Sequence, residues 1–400
     1  MKDIDLTPSA KGKVSRPFSS KRRVSLVFAV FALVGFLGTT LYLVRGRGGG
    51  GKDLISGYVM PEVTVDEESS ELDQGEKGSP SPINGVFKTA AREELWTQRR
   101  PLAVMINNHA EARSVQTGVT QADLVYEAVA EGGIPRLMAI YHSQFPNKVG
   151  SVRSARVFFV DWAKEYDAWY AHWGGAQIDP NNPAVCAEEA DAFMRMRTIF
   201  VSSLDAMGGA GEAFFRDTSG LALEHTGFAV PEKLLEVAYR MYPDQAQEFR
   251  TIPSWQFGDG AAAADRGPAA ALSFNFWDTA GYEVTWEYDP QANLYLRSQG
   301  GEAVKDAESG ERYSAKTVIV QWMKETEVPD QKHHILYQTL GSGAAQVYAD
   351  GQVIEGSWSR PRLGDRTRYY DDSGQEIEFN RGVFWIEVLP LEAEVTYQIR

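Results

Sequence analysis

The sequence predicts an α+β protein: an N-terminal mixed α/β domain, then a smaller, mostly antiparallel β domain, with one N-terminal transmembrane helix ahead of both. Three observations predict it. One long apolar run stands near the start of the 400 residues, strand and helix patterns interleave up to about residue 256, and beyond residue 270 short strand-like runs recur between turn residues. Composition agrees, since 43% hydrophobic and 12% aromatic residues can fill two cores and exclude a wholly disordered or collagen-like chain.

Val24 to Val44 is free of charged residues over 21 positions. As a helix it would span about 31 Å, the hydrocarbon thickness of a bilayer. Residues 1–23 are basic, with Lys2, Lys11, Lys13, Arg16, Lys21, Arg22 and Arg23 against Asp3 and Asp5, which predicts a cytoplasmic N-terminus and an extracytoplasmic remainder. A cleaved signal peptide fits less well, because its apolar core would be about 7–15 residues and no small-x-small site precedes Arg45 and Arg47. Lipid attachment directly after the run lacks its thiol, the single cysteine being Cys186. Residues 45–82, rich in Gly, Glu, Ser, Asp and Pro, predict a flexible linker.

Residues 83–256 are the expected α/β domain. Leu102 to Ile106 reads as a buried strand, and Leu124 to Ala130 with Leu137 to Tyr141 as a hairpin around Gly132-Gly133. Ser154 to Asp167 has the three- and four-residue apolar spacing of a helix with Ser154 as its cap. A strand over Asp167 to His172, a helix over Pro183 to Arg197 and a helix over Val230 to Tyr242 complete the segment. The Ala-, Gly- and Pro-rich stretch 257–270 is the expected linker into a β-rich domain at 271–400. There ALSFNFW, YEVTWEYD, NLYLRS, TVIVQWM, HHILYQTL, AAQVYAD, QVIEGSWS, RTRYYDD, EIEFN and VFWIEVLP alternate with turns such as Asp350-Gly351.

Charge narrows the function. The net charge is −14, and residues 48–400 carry 31 Lys and Arg against 52 Asp and Glu, which argues against nucleic-acid binding. Phosphate-loop, nucleophile-elbow, HExxH and paired CxxC motifs are lacking, and the six histidines never fall at metal spacing within one helix. No cofactor and no metal is therefore expected. Three arginines stand out: Arg136 after the hairpin turn, then Arg153 and Arg156 in VGSVRSAR at the start of a predicted helix. Guanidinium groups beside free helix N–H groups make an anion site, unless nearby carboxylates such as Asp123, Glu127, Asp161 or Glu165 neutralise them. Arg216 in FFRDTSG and His225 in LEHTGF could complete such a site, and His109 or His225 could move a proton in it. Trp358, Arg366, Arg368 and Tyr369 mix aromatic rings with arginines, as a glycan or protein contact would; Tyr126, Trp162, Tyr166, Trp169, Tyr170 and Trp173 offer a second aromatic group that reads equally as core.

The strings RPLAVMINNH, EGGIPR, VGSVRSARVFFVDWAKEYDAWYAHWGG, FFRDTSG, DGQVIEGSW and TRYYDDSG resemble the YerB-like family, domain of unknown function 3048, over roughly residues 80–395. That resemblance implies an exported envelope protein, often lipid-anchored, without a settled reaction. Two departures stand out: Asn107-Asn108-His109 where members commonly have Asp-Asn-His, and His225-Thr226-Gly227-Phe228 where they have His-Asn-Leu-Tyr. The order of strand, arginine, VRSAR and YAHWGG is also similar to the LytR–CpsA–Psr cell-wall phosphotransferases, although their Ser-Pro-Arg-Asp string reads Ser151-Val152-Arg153-Ser154 here. The expected function is thus a membrane-anchored extracytoplasmic protein that binds a cell-wall component or an envelope protein. The alternative is an enzyme acting on a pyrophosphate-linked or other anionic cell-wall precursor.

Overall fold

Successive side chains of a strand point to opposite faces, so a strand apolar at every position must be covered on both. Leu102–Asn107 (β1) is such a strand from Leu102 to Ile106, and all six of its residues are buried. In the computed structural model, which describes residues 76–90, 93, 99–217, 220–246, 251–276 and 279–400, it lies within a ten-stranded mixed sheet. Its other strands are Leu124–Glu131 (β2), Ile134–Tyr141 (β3), Trp169–His172 (β4), Ser203–Asp205 (β5), Thr317–Met323 (β6), Gly341–Ala349 (β7), Gln352–Arg360 (β8), Arg368–Asp371 (β9) and Phe384–Pro390 (β10). The order is β9-β8-β7-β6-β10-β2-β3-β1-β4-β5. The expected basic tail 1–23, the expected membrane helix 24–44 and most of the expected linker 45–82 lie outside the described residues; among the described residues no helix is long and apolar enough to cross a membrane.

The hairpin forms as predicted: Gly132 and Gly133 both take positive φ, the turn that matches strand twist. A register shift between Val129 and Glu131 makes a bulge beside Pro135, which cannot donate to the ladder. Asp350-Gly351, both at positive φ, turns β7 into β8 in the same way.

One face of the sheet packs Ala103, Met105, Tyr126, Met138 and Ile386 with Phe158, Phe159 and Trp162 of the helix Val157–Glu165 (α1). The other packs Leu102, Val104, Ile106, Val125 and Trp385 with Leu234 of the helix Pro231–Met241 and with Leu272 and Trp286. The last two belong to a second sheet, ordered Glu302–Ala303, Leu294–Gln299, Glu283–Asp289, Ala270–Asn275 and Thr396–Ile399.

The β-rich segment therefore does not form one separate antiparallel module. Its strands β6 to β10 extend the sheet begun before residue 257, through parallel pairing of β10 with β2. Two helical expectations also change. The chain over Pro183 to Arg197 breaks into 3-10 turns at Pro183–Val185 and Glu188–Ala190 before the helix Ala192–Ile199 (α2), because Asp191 caps α2 by accepting the Met194 N–H at 2.7 Å. Ser154 does not cap α1; its hydroxyl donates to the Trp173 carbonyl at 3.0 Å, and Arg156 occupies the cap position.

Candidate functional site

β1 ends at Asn107, and the chain turns through Asn108 and His109 into the 3-10 helix Ala110–Val115. Asn108 fixes this turn from inside. Its amide donates to Glu127 at 2.6 Å and to Gln299 at 3.1 Å, while its carbonyl accepts from Arg113 and Gln116.

Asn107 fixes the neighbouring imidazole. Its Oδ1 accepts the His109 N–H at 3.0 Å, so its NH2 end faces His225 and donates to Nδ1 at 2.8 Å. The proton of neutral His225 then sits on Nε2, which lies 3.4 Å from Glu111 and 3.9 Å from Glu224. His109 Nδ1 likewise faces a donor, the Glu111 N–H at 3.3 Å. The two rings stack at 5.0 Å. Burial, and then repulsion from His225, lower the pKa of His109 against the opposing pull of Glu111.

A three-stranded sheet brings the arginines here. Gly227–Ala229 pairs with Val149–Gly150 on one side and Phe214–Arg216 on the other, and Val152 N–H donates to the Gly227 carbonyl at 2.6 Å. Arg153 is held through its backbone to Met105 and Trp173, and its 27% exposed side chain pairs with the outward Glu224 at 3.4 Å. Arg216 lies 4.0 Å over the Trp173 ring and donates to the Leu223 carbonyl. A Cβ on Gly227 would stand 2.6 Å from that ring, so only glycine admits the tryptophan. Burial, and then Arg153, lower the Arg216 pKa.

His109, Arg153, Arg216 and His225 thus come together from four chain segments. They offer N–H donors, and the carboxylates of Glu111 and Glu224 that pair with His225 and Arg153 are solvent-exposed. That suits an anion. His109, Glu111 and His225 also carry metal-ligating atoms within 4.8 Å of one another, but a cation would have to displace the Nε2 proton of His225.

Arg136 and Arg156 do not join this cluster. Arg153 and Arg156 precede α1 and share no helix face, and Glu131 on the bulge takes up both Arg136 and Arg156, the latter at 2.7 and 2.8 Å. Burial would raise the Glu131 pKa, but the two guanidinium groups hold it down at about 2. The neutralising carboxylate is Glu131 instead of Asp123, Glu127, Asp161 or Glu165, because the bulge turns it toward the arginines.

Sequence reasoning missed the centre beneath. Arg297 lies between Glu127 and Glu387, 2.7 Å from each, all three buried and walled by Trp286 and Trp385, whose indole N–H groups donate to the carboxylates. Burial, and then the charge of Glu127, raise the Glu387 pKa well above the usual carboxylate value.

Residues 88–242 match the N-terminal domain, and 272–386 the C-terminal domain, of the protein of unknown function family DUF3048. The chain belongs to this family. It is similar to "Putative lipoprotein YerB" of Bacillus subtilis (strain 168), 27% identical over 317 residues that make up 78% of this chain and 86% of the relative. The crystal structure of the YerB protein from Bacillus subtilis shares its fold at a TM-score of 0.65 and 24% identity, covering 80% of this chain and all of that one. Here both DUF3048 domains build the buried centre, Glu127 coming from the first and Arg297 from the second.

The contact surface expected in the second domain is interior. Trp358, Arg366 and Tyr369 are at most 2% exposed. Trp358 donates to the Trp322 carbonyl and Tyr369 to Gln321, while Arg366 stacks 3.9 Å over Trp255 and donates to the Pro82 and Ile83 carbonyls. Arg368 is half-buried against Glu376 at 2.7 Å. Of the first-domain aromatics, Tyr126, Trp162, Tyr166, Trp169 and Tyr170 are core and Trp173 alone borders the site. Trp358 and Tyr369 stand opposite each other on adjacent strands and face the core, while outward positions of β8 such as Glu355 and Ser357 stay exposed, and Arg360 and Arg366 bind backbone carbonyls.

Proposed function

We propose that the chain is anchored to the cell membrane by residues 24–44, N-terminus in the cytoplasm, and that its extracytoplasmic part binds an anionic component of the cell envelope at the cluster of His109, Arg153, Arg216 and His225. The observation carrying this reading is the convergence of two guanidinium groups and two imidazoles on an otherwise acidic chain. Membership of DUF3048 and similarity to a protein named as a lipoprotein support an envelope setting. The transferase alternative needs Arg136, Arg153 and Arg156 on one substrate, and Glu131 occupies two of them.

The test is retention of phosphate- and pyrophosphate-bearing envelope precursors by the full-length protein. Arg153→Ala with Arg216→Ala should weaken retention about tenfold or more while the thermal unfolding midpoint stays near that of the parent. A folded double variant that captures every ligand as the parent does overturns the site. Capture of an envelope protein alone, with the precursors ignored, overturns the choice of ligand. Protease added to intact cells, with wall access verified, should digest the C-terminal part.

A further inference from the structure

A second histidine cluster lies where the turn between Glu325–Glu327 and Ile335–Tyr337 meets the chain entering α2. Two backbone bonds clamp these segments: Gln331 N–H to the Ala184 carbonyl at 2.9 Å, and Ala187 N–H to the Asp330 carboxylate at 3.1 Å. Cys186, Asp330 and His334 are all buried there, with one ligating atom from each within 4.8 Å of the others.

We propose that Cys186, Asp330 and His334 form a binding site for a thiophilic divalent cation of the zinc type. The donor set is the first argument. A thiolate, an imidazole nitrogen and a carboxylate oxygen are the three atoms zinc accepts, and bonds of about 2.0–2.3 Å in a tetrahedron would space them roughly 3.4–3.8 Å apart, leaving a fourth position for water.

Preparation of the carboxylate is the second. Asp330 accepts N–H groups from Lys332 at 3.0 Å, His334 at 3.3 Å and Ala187 at 3.1 Å, which fix its orientation and leave one place, now filled by His334 Nδ1 at 2.8 Å. The ion takes the place of that ring proton, which passes to Nε2 so that the imidazole stays neutral, and the thiol proton is released.

Surroundings are the third. Ala176, Ala190 and Val328 enclose the group in apolar material. The carboxylates of Asp191, Asp330 and Glu189 stand around the thiol. The same negative charges favour a cation over a free thiolate. His333, one residue earlier, turns outward at positive φ and pairs with Glu327 at 2.6 Å, so only His334 faces the thiol.

The experiment adds Co2+ and then Zn2+ to the full-length protein. Co2+ should give a thiolate-to-metal absorption band that one equivalent of Zn2+ removes, and Cys186→Ser or His334→Ala should weaken Zn2+ binding about 100-fold or more, while His333→Asn leaves it unchanged. Should the variants fail to fold, the parent protein suffices: Zn2+ should slow alkylation of Cys186 about tenfold or more. Absence of the cobalt band, or alkylation that ignores Zn2+, overturns the site.

Discussion

Two histidine clusters use similar side chains in opposite ways, and the difference lies in what faces Nδ1. In His225 that nitrogen meets the NH2 end of Asn107, so the ring keeps its proton on Nε2 and the cluster offers hydrogen-bond donors beside Arg153 and Arg216. In His334 it meets a carboxylate fixed by three backbone N–H groups, and once the Nδ1 proton shifts to Nε2 and the thiol loses its own, the cluster offers nitrogen, oxygen and sulfur electron pairs. The first suits anions and the second cations. Neighbouring hydrogen bonds, more than the imidazole itself, select the ligand.

Breaking the support of the first cluster should have the largest effect. Replacing Arg297 with Met leaves Glu127 buried without its ion-pair partner and should cost about 3–5 kcal/mol in urea unfolding. Because Asn108 hangs from Glu127, the variant should also lose anion binding if it folds. Glu131→Gln removes the shared partner of Arg136 and Arg156. With Glu131 partly exposed, a loss of about 2–3 kcal/mol is expected. Its depressed pKa gives a pH signature: the contribution is present above the unfolded value of 4.5 and is lost as pH falls from there toward about 2, a decline that Glu131→Gln should flatten.

Converting one cluster toward the other is the sharper test. Asn107→Asp puts an acceptor opposite His225 Nδ1 and keeps the bond from the His109 N–H, so the ring proton should move to Nδ1 and expose the Nε2 lone pair. Nitrogen NMR should report the tautomer change. Phosphate affinity should fall about tenfold, and Zn2+ affinity should rise at His109, Glu111 and His225. Acid offers a milder probe. His109 has a pKa below its ordinary 6.5, so anion affinity should rise as pH falls through that region, while stability falls, since the unfolded chain binds that proton more readily. The smallest effect is expected from Glu387→Gln. That side chain is already driven toward its neutral form, and glutamine keeps an oxygen for Trp286 and Arg297, so the unfolding free energy should change by less than about 1 kcal/mol.

Much of the local structure was legible. The β2–β3 hairpin followed from Gly132-Gly133, and the helix at Pro231–Met241 from the prolines at its first position and after its end. Every strand-like run after residue 270 contains a strand. What failed was the assignment of neighbours. Arginines beside aromatic residues suggest a surface at Trp358, Arg366 and Tyr369, yet all three turn inward, Trp358 and Tyr369 into the core and Arg366 onto Trp255. Arg136 and Arg156 were recognised as charges, but their partner Glu131 depends on a bulge that no spacing announces.

By itself the sequence determined the elements, the acidic balance and the membership of DUF3048, since periodicity, turn residues and charge are properties of short stretches. Only tertiary structure decided that strands on both sides of residues 257–270 share one sheet, that Arg297 joins Glu127 to Glu387, and that Cys186 lies beside His334. Those contacts span 90 residues or more. They exist because parallel pairing and double-sided burial bring distant segments together, and hydrogen bonds formed there set the charge and tautomer of each group.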